Sequence, residues 1–170
     1  SLLMSKASSL YRCLSKTIFS ASTLIKILND EICETTTRGM FVTMIVGVYD
    51  KNKNELLLSN AGHEPPLIFS KEGNFKTIDE AGPPLGIAPN FKFTEQTISF
   101  KESSMYIFTD GITEMKNSNG EMLGQEGFQD YIKKYQSTPN NKRLQKMIED
   151  LISSGRIQKD DLTIVTVDGK

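Results

Sequence analysis

An apolar strand pattern runs directly into a carboxylate and a glycine in the stretch Met105-Tyr106-Ile107-Phe108-Thr109-Asp110-Gly111. The four residues before Thr109 are all apolar or aromatic, which predicts a strand buried in a sheet. Asp110 follows at the end of that strand, and Gly111 lets the backbone turn away or lets another group approach closely. Because loops at strand ends often carry functional side chains, we expect Asp110 to be one.

A second pair of carboxylates stands before the last strand pattern. Asp160 and Asp161 precede the apolar run from Leu162 to Val167. If this strand end met that of Asp110 at one edge of a sheet, the carboxylates would bind a hard divalent cation, because Mg²⁺ and Mn²⁺ prefer oxygen ligands. The residues alone leave the other interpretation open, since Asp-Gly is a common turn and a charged pair often marks a solvated strand boundary.

The remainder of the sequence predicts short strands and turns between flanking helices. Apolar spacing predicts helices over residues 2–14, from Ser20 or Ser22 to Thr35, over 128–135 and over 144–152. Strand patterns cover residues 40–49, 55–60, 67–70, 75–78, 91–100, 105–109 and 162–167. The first of these is apolar almost throughout, which favours a central strand. Strands that do not alternate strictly with helices favour an α+β fold with antiparallel sheet, as one domain over residues 1–170.

Composition and charge exclude several classes of protein. Twenty basic against twenty-one acidic residues give a net charge of −1, which provides no positive field for nucleic acid. Cys13 and Cys33 show no metal-ligand spacing, so neither a disulfide framework nor a zinc site is indicated. No apolar run approaches the roughly 20 residues of a membrane span. We therefore expect a cytoplasmic protein whose segment makes no membrane contact.

Five motifs occur in the order seen in one known family. They are Phe41-Val42-Thr43-Met44, Asn60-Ala61-Gly62-His63-Glu64-Pro65-Pro66-Leu67, Gly82-Pro83-Pro84-Leu85-Gly86-Ile87, Thr109-Asp110-Gly111-Ile112-Thr113-Glu114 and Asp160-Asp161-Leu162-Thr163. Over essentially its whole length the chain resembles the stage II sporulation protein E and sigma-B-regulator class of PPM-type serine phosphatases.

This resemblance implies a fold, a reaction and a metal centre. The fold is an α/β/β/α sandwich of two mainly antiparallel sheets flanked by helices. The reaction is hydrolysis of phosphoserine or phosphothreonine on a partner protein by a water that two Mn²⁺ or Mg²⁺ ions activate, and the implied bacterial substrate is a phosphorylated anti-sigma-factor antagonist. By motif, Asp110 and Asp160 are the implied catalytic metal ligands. Asp161 is the reserve, because adjacent side chains on a strand point to opposite faces.

One family motif is missing from the sequence. Members of the class carry an upstream Asp-x-Ser-Gly-His-Gly strand end whose Asp bridges the two metals, and the helical spacing here starts immediately at Leu2. We therefore expect a piece truncated at its N-terminus, without the opening strands, that is inactive alone although its parent is a phosphatase. An alternative left open is that it is the cytoplasmic domain of a larger sensor. Unpaired strand edges would then favour a homodimer or a swapped arrangement through residues before Ser20.

Other interpretations remain beside the phosphatase. A non-catalytic regulatory or scaffolding relative would keep the fold and bind the same partner. A haloacid-dehalogenase-like hydrolase is disfavoured because Phe108 occupies the place of its nucleophilic Asp. His63 could be a general acid, although a structural role in a tight loop is favoured. Glu114 could orient a metal ligand or lie in a solvated turn.

Overall fold

The computed structural model describes residues 2–35, 39–78 and 81–169, which form five helices and seven strands. The elements are α1 Leu2–Leu14, α2 Ala21–Thr35, β1 Met44–Asp50, β2 Glu55–Ala61, β3 Leu67–Ser70, β4 Phe75–Thr77, β5 Gln96–Ser99, β6 Ser103–Phe108, α3 Asp110–Thr113, α4 Gly124–Lys134, α5 Asn140–Ser153 and β7 Ile164–Asp168. The predicted α+β class with two antiparallel sheets and helices is confirmed. Within these residues, no helix combines the length and apolar character needed to cross a membrane.

The chain divides into two compact units, and the first comprises residues up to 65 together with 78–101. Its antiparallel sheet has the strand order β1-β2-β5. The apolar stripe predicted for the second helix is confirmed, because α2 buries Leu24, Ile25, Leu28 and Ile32. Each such side chain contributes about 1.5–3 kcal/mol when fully buried. The Ser20 hydroxyl accepts the N–H of Thr23 at 3.2 Å, so Ser20 caps the helix as predicted.

The prediction of a central strand over residues 40–49 was wrong in two respects. β1 begins only at Met44, and among the described strands it lies at the edge of its sheet. Residues 40 and 41 are exposed, with 55% of Phe41 accessible. Val42 instead pairs with Leu85 through two backbone hydrogen bonds of 3.1 and 2.8 Å. The start of the apolar run is therefore bound to a distant loop rather than to a strand of the sheet.

The second unit comprises residues 66–77 and 102–169, with the antiparallel strand order β4-β3-β6-β7. Its helices cover one face of this sheet around a core that includes Tyr106, Phe108, Phe128, Ile132, Met147 and Leu151. In the ladder between β6 and β7, Phe108 pairs with Ile164 and Ser104 pairs with Asp168. Because the strands are antiparallel, the end of β6 lies beside the start of β7. The two acidic motifs are thus brought to the same sheet edge.

The other end of β7 is fixed by a buried arginine. Arg143 of α5, whose side chain is 10% exposed, donates from Nη1 to Asp168 at 3.0 Å and to the Tyr106 hydroxyl at 3.2 Å. Burial raises the pKa of Tyr106 above its ordinary value, so the phenol stays neutral and accepts this bond. The network joins α5 to β6 and β7 near the end of β7 that lies opposite the acidic motifs.

Candidate metal centre

Asp110 lies where strand β6 gives way to helix α3. β6 ends at Phe108, and the backbone N–H of Thr109 extends the strand pairing by donating to the carbonyl of Thr163 at 3.1 Å. Helix α3 then begins at Asp110, whose side chain is exposed. The sequence prediction of a carboxylate at the end of a buried strand is confirmed by this placement.

Gly111 brings α3 into direct contact with the second acidic motif. A Cβ atom on Gly111 would lie 2.5 Å from the carbonyl oxygen of Asp161 and 3.5 Å from the carbonyl carbon of Asp160. Real Cβ atoms essentially never come that close, so only glycine permits this approach. The Thr-Asp-Gly turn therefore lies against the peptide groups of the Asp160-Asp161 pair.

We call residues 158–163, which lie outside regular strand, the acidic loop. Within it the Gln158 amide donates to the carbonyl of Asp160 at 2.9 Å, and the N–H of Asp161 donates to the Asp160 carboxylate at 2.8 Å. A surface depression of about 290 Å³ is lined by Gln158, Lys159, Asp160 and Asp161. Because these residues form a loop, the strand-alternation argument that ranked Asp160 above Asp161 does not apply to them.

Sequence reasoning missed the role of the Thr109 side chain in this contact. The hydroxyl of Thr109 donates to the carbonyl of Asp161 at 3.1 Å and lies 3.2 Å from the backbone nitrogen of Thr163, from which it accepts a hydrogen bond. The only signal in the sequence was a hydroxyl residue directly before the motif aspartate. Such a residue can bond to backbone groups that strand pairing leaves free.

The donor set fits a hard divalent cation with an incomplete protein shell. Asp110, Asp160 and Asp161 are all exposed carboxylates on two segments whose backbones touch. Among residues 2–35, 39–78 and 81–169, no three acidic, histidine or cysteine side chains are already gathered in a metal-holding group. Mg²⁺ and Mn²⁺ tolerate such an arrangement, because Mg²⁺ in particular keeps several waters and takes only one or two protein carboxylates.

Glu114 lies one helical turn beyond Asp110. Its backbone N–H donates to the carbonyl of Asp110 at 2.8 Å and closes helix α3, while its side chain is exposed. The hydrogen bonds described above for the acidic loop do not involve the Glu114 carboxylate. The role of Glu114 in orienting a ligand stays a prediction.

Two of the motifs from the sequence analysis meet within the first unit. The N–H of Gly82 donates to the carbonyl of Asn60 at 2.8 Å, and a Cβ atom on Gly62 would lie 2.6 Å from the Pro84 ring. The buried Asn60 amide accepts the N–H of His63 and donates to its carbonyl, both at 2.9 Å. The His63 ring is bonded to the next carbonyl at 3.0 Å. These bonds are those of a tight loop, and a catalytic role for His63 stays a prediction.

Comparisons with known proteins show what this chain is similar to. The family model described as Stage II sporulation protein E (SpoIIE) matches residues 1–170. Protein IcfG of Synechocystis sp. is 31% identical over 156 residues, which are 89% of this chain and 24% of that protein. The phosphoserine phosphatase RsbU of Bacillus subtilis is 26% identical over 149 residues, which are 86% of this chain and 44% of that protein. The chain therefore spans less than half the length of both relatives.

A solved structure shows the same fold. The RsbU and RsbW domains of Rv1364c from Mycobacterium tuberculosis superpose with a TM-score of 0.82 at 20% identity. The match covers 99% of this chain and 47% of that one. At this level of identity the superposition speaks for the fold alone.

Proposed function

This chain belongs to the SpoIIE family of PP2C-type phosphatase domains, and from that premise we propose that the intact protein carrying this domain hydrolyses phosphoserine on a partner protein at the Asp110 site. The observation that carries the proposal is the contact between the Thr-Asp-Gly turn and the acidic loop, in which Gly111 lies too close to Asp161 for any side chain. The contact supports a shared site, because it brings the backbone next to Asp110 against the peptide groups of Asp160, the ligand implied by the family resemblance, and of Asp161, the reserve.

The chain's own residues would hold the cations and orient the phosphate. Asp110 at the start of α3 and Asp160 in the acidic loop would supply anionic oxygens to the cations, with Asp161 as the further candidate. Divalent cations bound there would activate the attacking water and offset the charge of the phosphoryl oxygens. Lys159 lines the same depression as Asp160 and Asp161. It would favour the approach of a phosphate dianion to a site whose other charges are negative.

The proposed substrate is a phosphorylated protein of the anti-sigma-factor-antagonist type. The family resemblance carried by the five motifs implies this substrate, and the relative RsbU, whose name describes a phosphoserine phosphatase, supports phosphoserine as the group that is hydrolysed. An accessible position suits a protein substrate, because Asp110, Asp160 and Asp161 are all exposed. A phosphoserine on a folded partner can therefore reach them without entering a deep pocket.

A second candidate is a non-catalytic domain that binds the same partner. It is favoured by one observation, namely that the described residues gather no complete group of three metal-ligating side chains. Such a domain would bind the phosphoprotein without releasing phosphate.

The test is phosphate release from a phosphoserine protein by the intact protein that carries this domain, with Mn²⁺ or Mg²⁺, comparing Asp110→Asn with the wild type. Asparagine keeps the shape of the side chain and removes the charge that holds the cation. We expect activity to fall by about two orders of magnitude with little change in thermal stability. Asp130→Asn on α4 is the control, because the Asp130 side chain is exposed and its ion pair with Lys133 is long, at 3.5 Å.

Measurable and equal phosphate release by Asp110→Asn and the wild type would contradict the assignment of the site. Binding of the phosphoprotein without release by any of the three proteins would favour the non-catalytic candidate. Loss of activity in Asp130→Asn as well would show that the assay reports general damage instead of metal binding.

A further inference from the structure

We propose that Thr109 is a positioning residue, whose hydroxyl couples the acidic loop to Asp110 so that the carboxylates of both segments can share a cation. This inference rests on the proposed function of the Asp110 site. It concerns a side chain that touches neither the substrate nor the metal and that acts through the backbone of its neighbours.

The hydroxyl of Thr109 uses both its donor and its acceptor capacity on the acidic loop. It donates to the carbonyl of Asp161 at 3.1 Å and accepts the N–H of Thr163 at 3.2 Å. The two bonds bracket Leu162 and lie just beyond Phe108–Ile164, the last pair of the strand ladder. They therefore fix a segment that strand pairing alone would leave free at this end.

Asp110 sits between two contacts to the same peptide group. The Asp161 carbonyl oxygen accepts the hydrogen bond from the Thr109 hydroxyl. The same oxygen would lie 2.5 Å from a Cβ atom added to Gly111. Residues 109 and 111 thus both touch the loop, on either side of the proposed ligand. A shift of this carbonyl changes the distance between the Asp110 carboxylate and those of the loop.

Thr109 is suited to this role because its hydroxyl is held in place. A β-branched side chain has restricted rotation about its first bond, so the oxygen keeps its direction. Serine can make both bonds with less restriction. Valine keeps the shape and makes neither bond, although the backbone N–H of residue 109 still reaches Thr163 at 3.1 Å.

A purely structural role predicts a different pattern of effects. Five residue pairs join β6 to β7 without help from the hydroxyl. Thr109→Val should therefore shift the melting temperature by only a few degrees while loosening the acidic loop. Loss of global stability in proportion to loss of metal binding would instead indicate that Thr109 merely holds the strands together.

The experiment compares the wild type with Thr109→Val, Thr109→Ser and Thr113→Val by NMR. Without metal, amide hydrogen exchange at Thr163 reports directly on the bond that the hydroxyl accepts. With Mn²⁺, paramagnetic broadening of the amide signals of Asp110 and Asp161 reports metal affinity, even where binding is weak. Thr113→Val is the matched control, because the Thr113 hydroxyl also bonds a carbonyl at 3.1 Å but that carbonyl belongs to Asp110 of its own turn.

We expect Thr109→Val to accelerate Thr163 exchange and to weaken Mn²⁺ binding by about tenfold, as for other residues that orient ligands. Thr109→Ser should retain most of the slow Thr163 exchange and of the Mn²⁺ affinity of the wild type. Thr113→Val should match the wild type in both measurements. Wild-type exchange and wild-type Mn²⁺ affinity in Thr109→Val would overturn the inference. An equal loss in Thr113→Val would also overturn it.

Failure of the proposed function is distinguishable from failure of this inference. If Asp110→Asn binds Mn²⁺ as the wild type does, the metal site itself is misassigned. The metal-free exchange data then decide the coupling alone. Faster Thr163 exchange in the valine variant but not in the serine variant supports the coupling, and unchanged exchange refutes it.

Discussion

Replacing Gly111 by alanine tests the contact between α3 and the acidic loop directly. The added Cβ would lie 2.5 Å from the Asp161 carbonyl oxygen, whereas ordinary contact begins at 3.4 Å. The backbone peptide must therefore move by about 0.9 Å, the difference between these two distances. Gly111 does not have a positive φ, so the alanine is strained by this contact and not by its own backbone.

The expected cost follows from two opposing effects. Crowding in a packed region costs about 1–3 kcal/mol, and replacing glycine by alanine within a helix returns up to about 1 kcal/mol. We expect the free energy of unfolding to fall by about 1–2 kcal/mol. The same movement separates the proposed ligands, and a misplacement of about 1 Å can reduce a rate about 100-fold.

Urea denaturation and Mn²⁺-dependent phosphate release measure the two effects. Gly127→Ala in α4 is the matched control, because its Cβ would approach the Leu123 side chain at 2.6 Å and that flexible group can move aside. We expect Gly127→Ala to keep wild-type activity. Gly111→Ala with wild-type stability and wild-type activity would refute the close approach on which the site assignment depends.

Two further predictions concern helix α2 in the first unit. The buried Asn29 amide accepts the N–H of Gly86 at 3.1 Å and donates to the carbonyl of Ala88 at 2.8 Å. Asn29→Ala leaves both groups without this partner, so it should lower the free energy of unfolding in urea denaturation by about 2–4 kcal/mol. Unchanged stability would contradict the importance of this buried amide. The hydrogen bond from Lys26 holds the pKa of Asp30 below its ordinary value, so the folded state binds fewer protons there and stability is lost as the pH falls below about 4. Urea midpoints between pH 7 and pH 3 should fall less steeply for Asp30→Asn than for the wild type, and parallel curves would show that Asp30 contributes nothing.

The helices and the strand-end carboxylates were predictable because local patterns determine them. The apolar spacing of α1 and α2 and the cap at Ser20 needed no knowledge of distant contacts. The same holds for Asp110, since the four residues from Met105 to Phe108 that precede Thr109 are all apolar or aromatic. That the segments of Asp110 and Asp160 lie at one edge of the sheet depends on the pairing of β6 with β7, which the residues alone left open.

The misjudged strands depend on contacts that are remote in sequence. The predicted strand over residues 91–100 shrinks to β5, because the Phe91 and Phe93 rings pack on each other at 4.9 Å and beside Gly82 instead of extending the ladder. Val42 likewise leaves the sheet to pair with Leu85. Both segments have high strand propensity, but tertiary packing outweighs propensity where the two disagree.

Parts of the site were hidden from sequence reasoning for a similar reason. The hydroxyl of Thr109 acquires its role only when the acidic loop, more than 50 residues later, lies against it. A four-residue helix such as α3 is too short for an apolar period to reveal. The choice between Asp160 and Asp161 assumed a strand, whereas the residues form a loop with internal hydrogen bonds.

Anomalous diffraction from crystals soaked in Mn²⁺ tests the central claim most directly. The account predicts a manganese peak between α3 and the acidic loop, with carboxylate oxygens of Asp110 and of Asp160 or Asp161 at about 2.0–2.3 Å, the range of hard divalent cations. The peak should disappear in Asp110→Asn crystals soaked in the same way. Manganese bound elsewhere in the second unit, or a peak that persists unchanged in Asp110→Asn, would contradict the assignment of these carboxylates as the metal ligands.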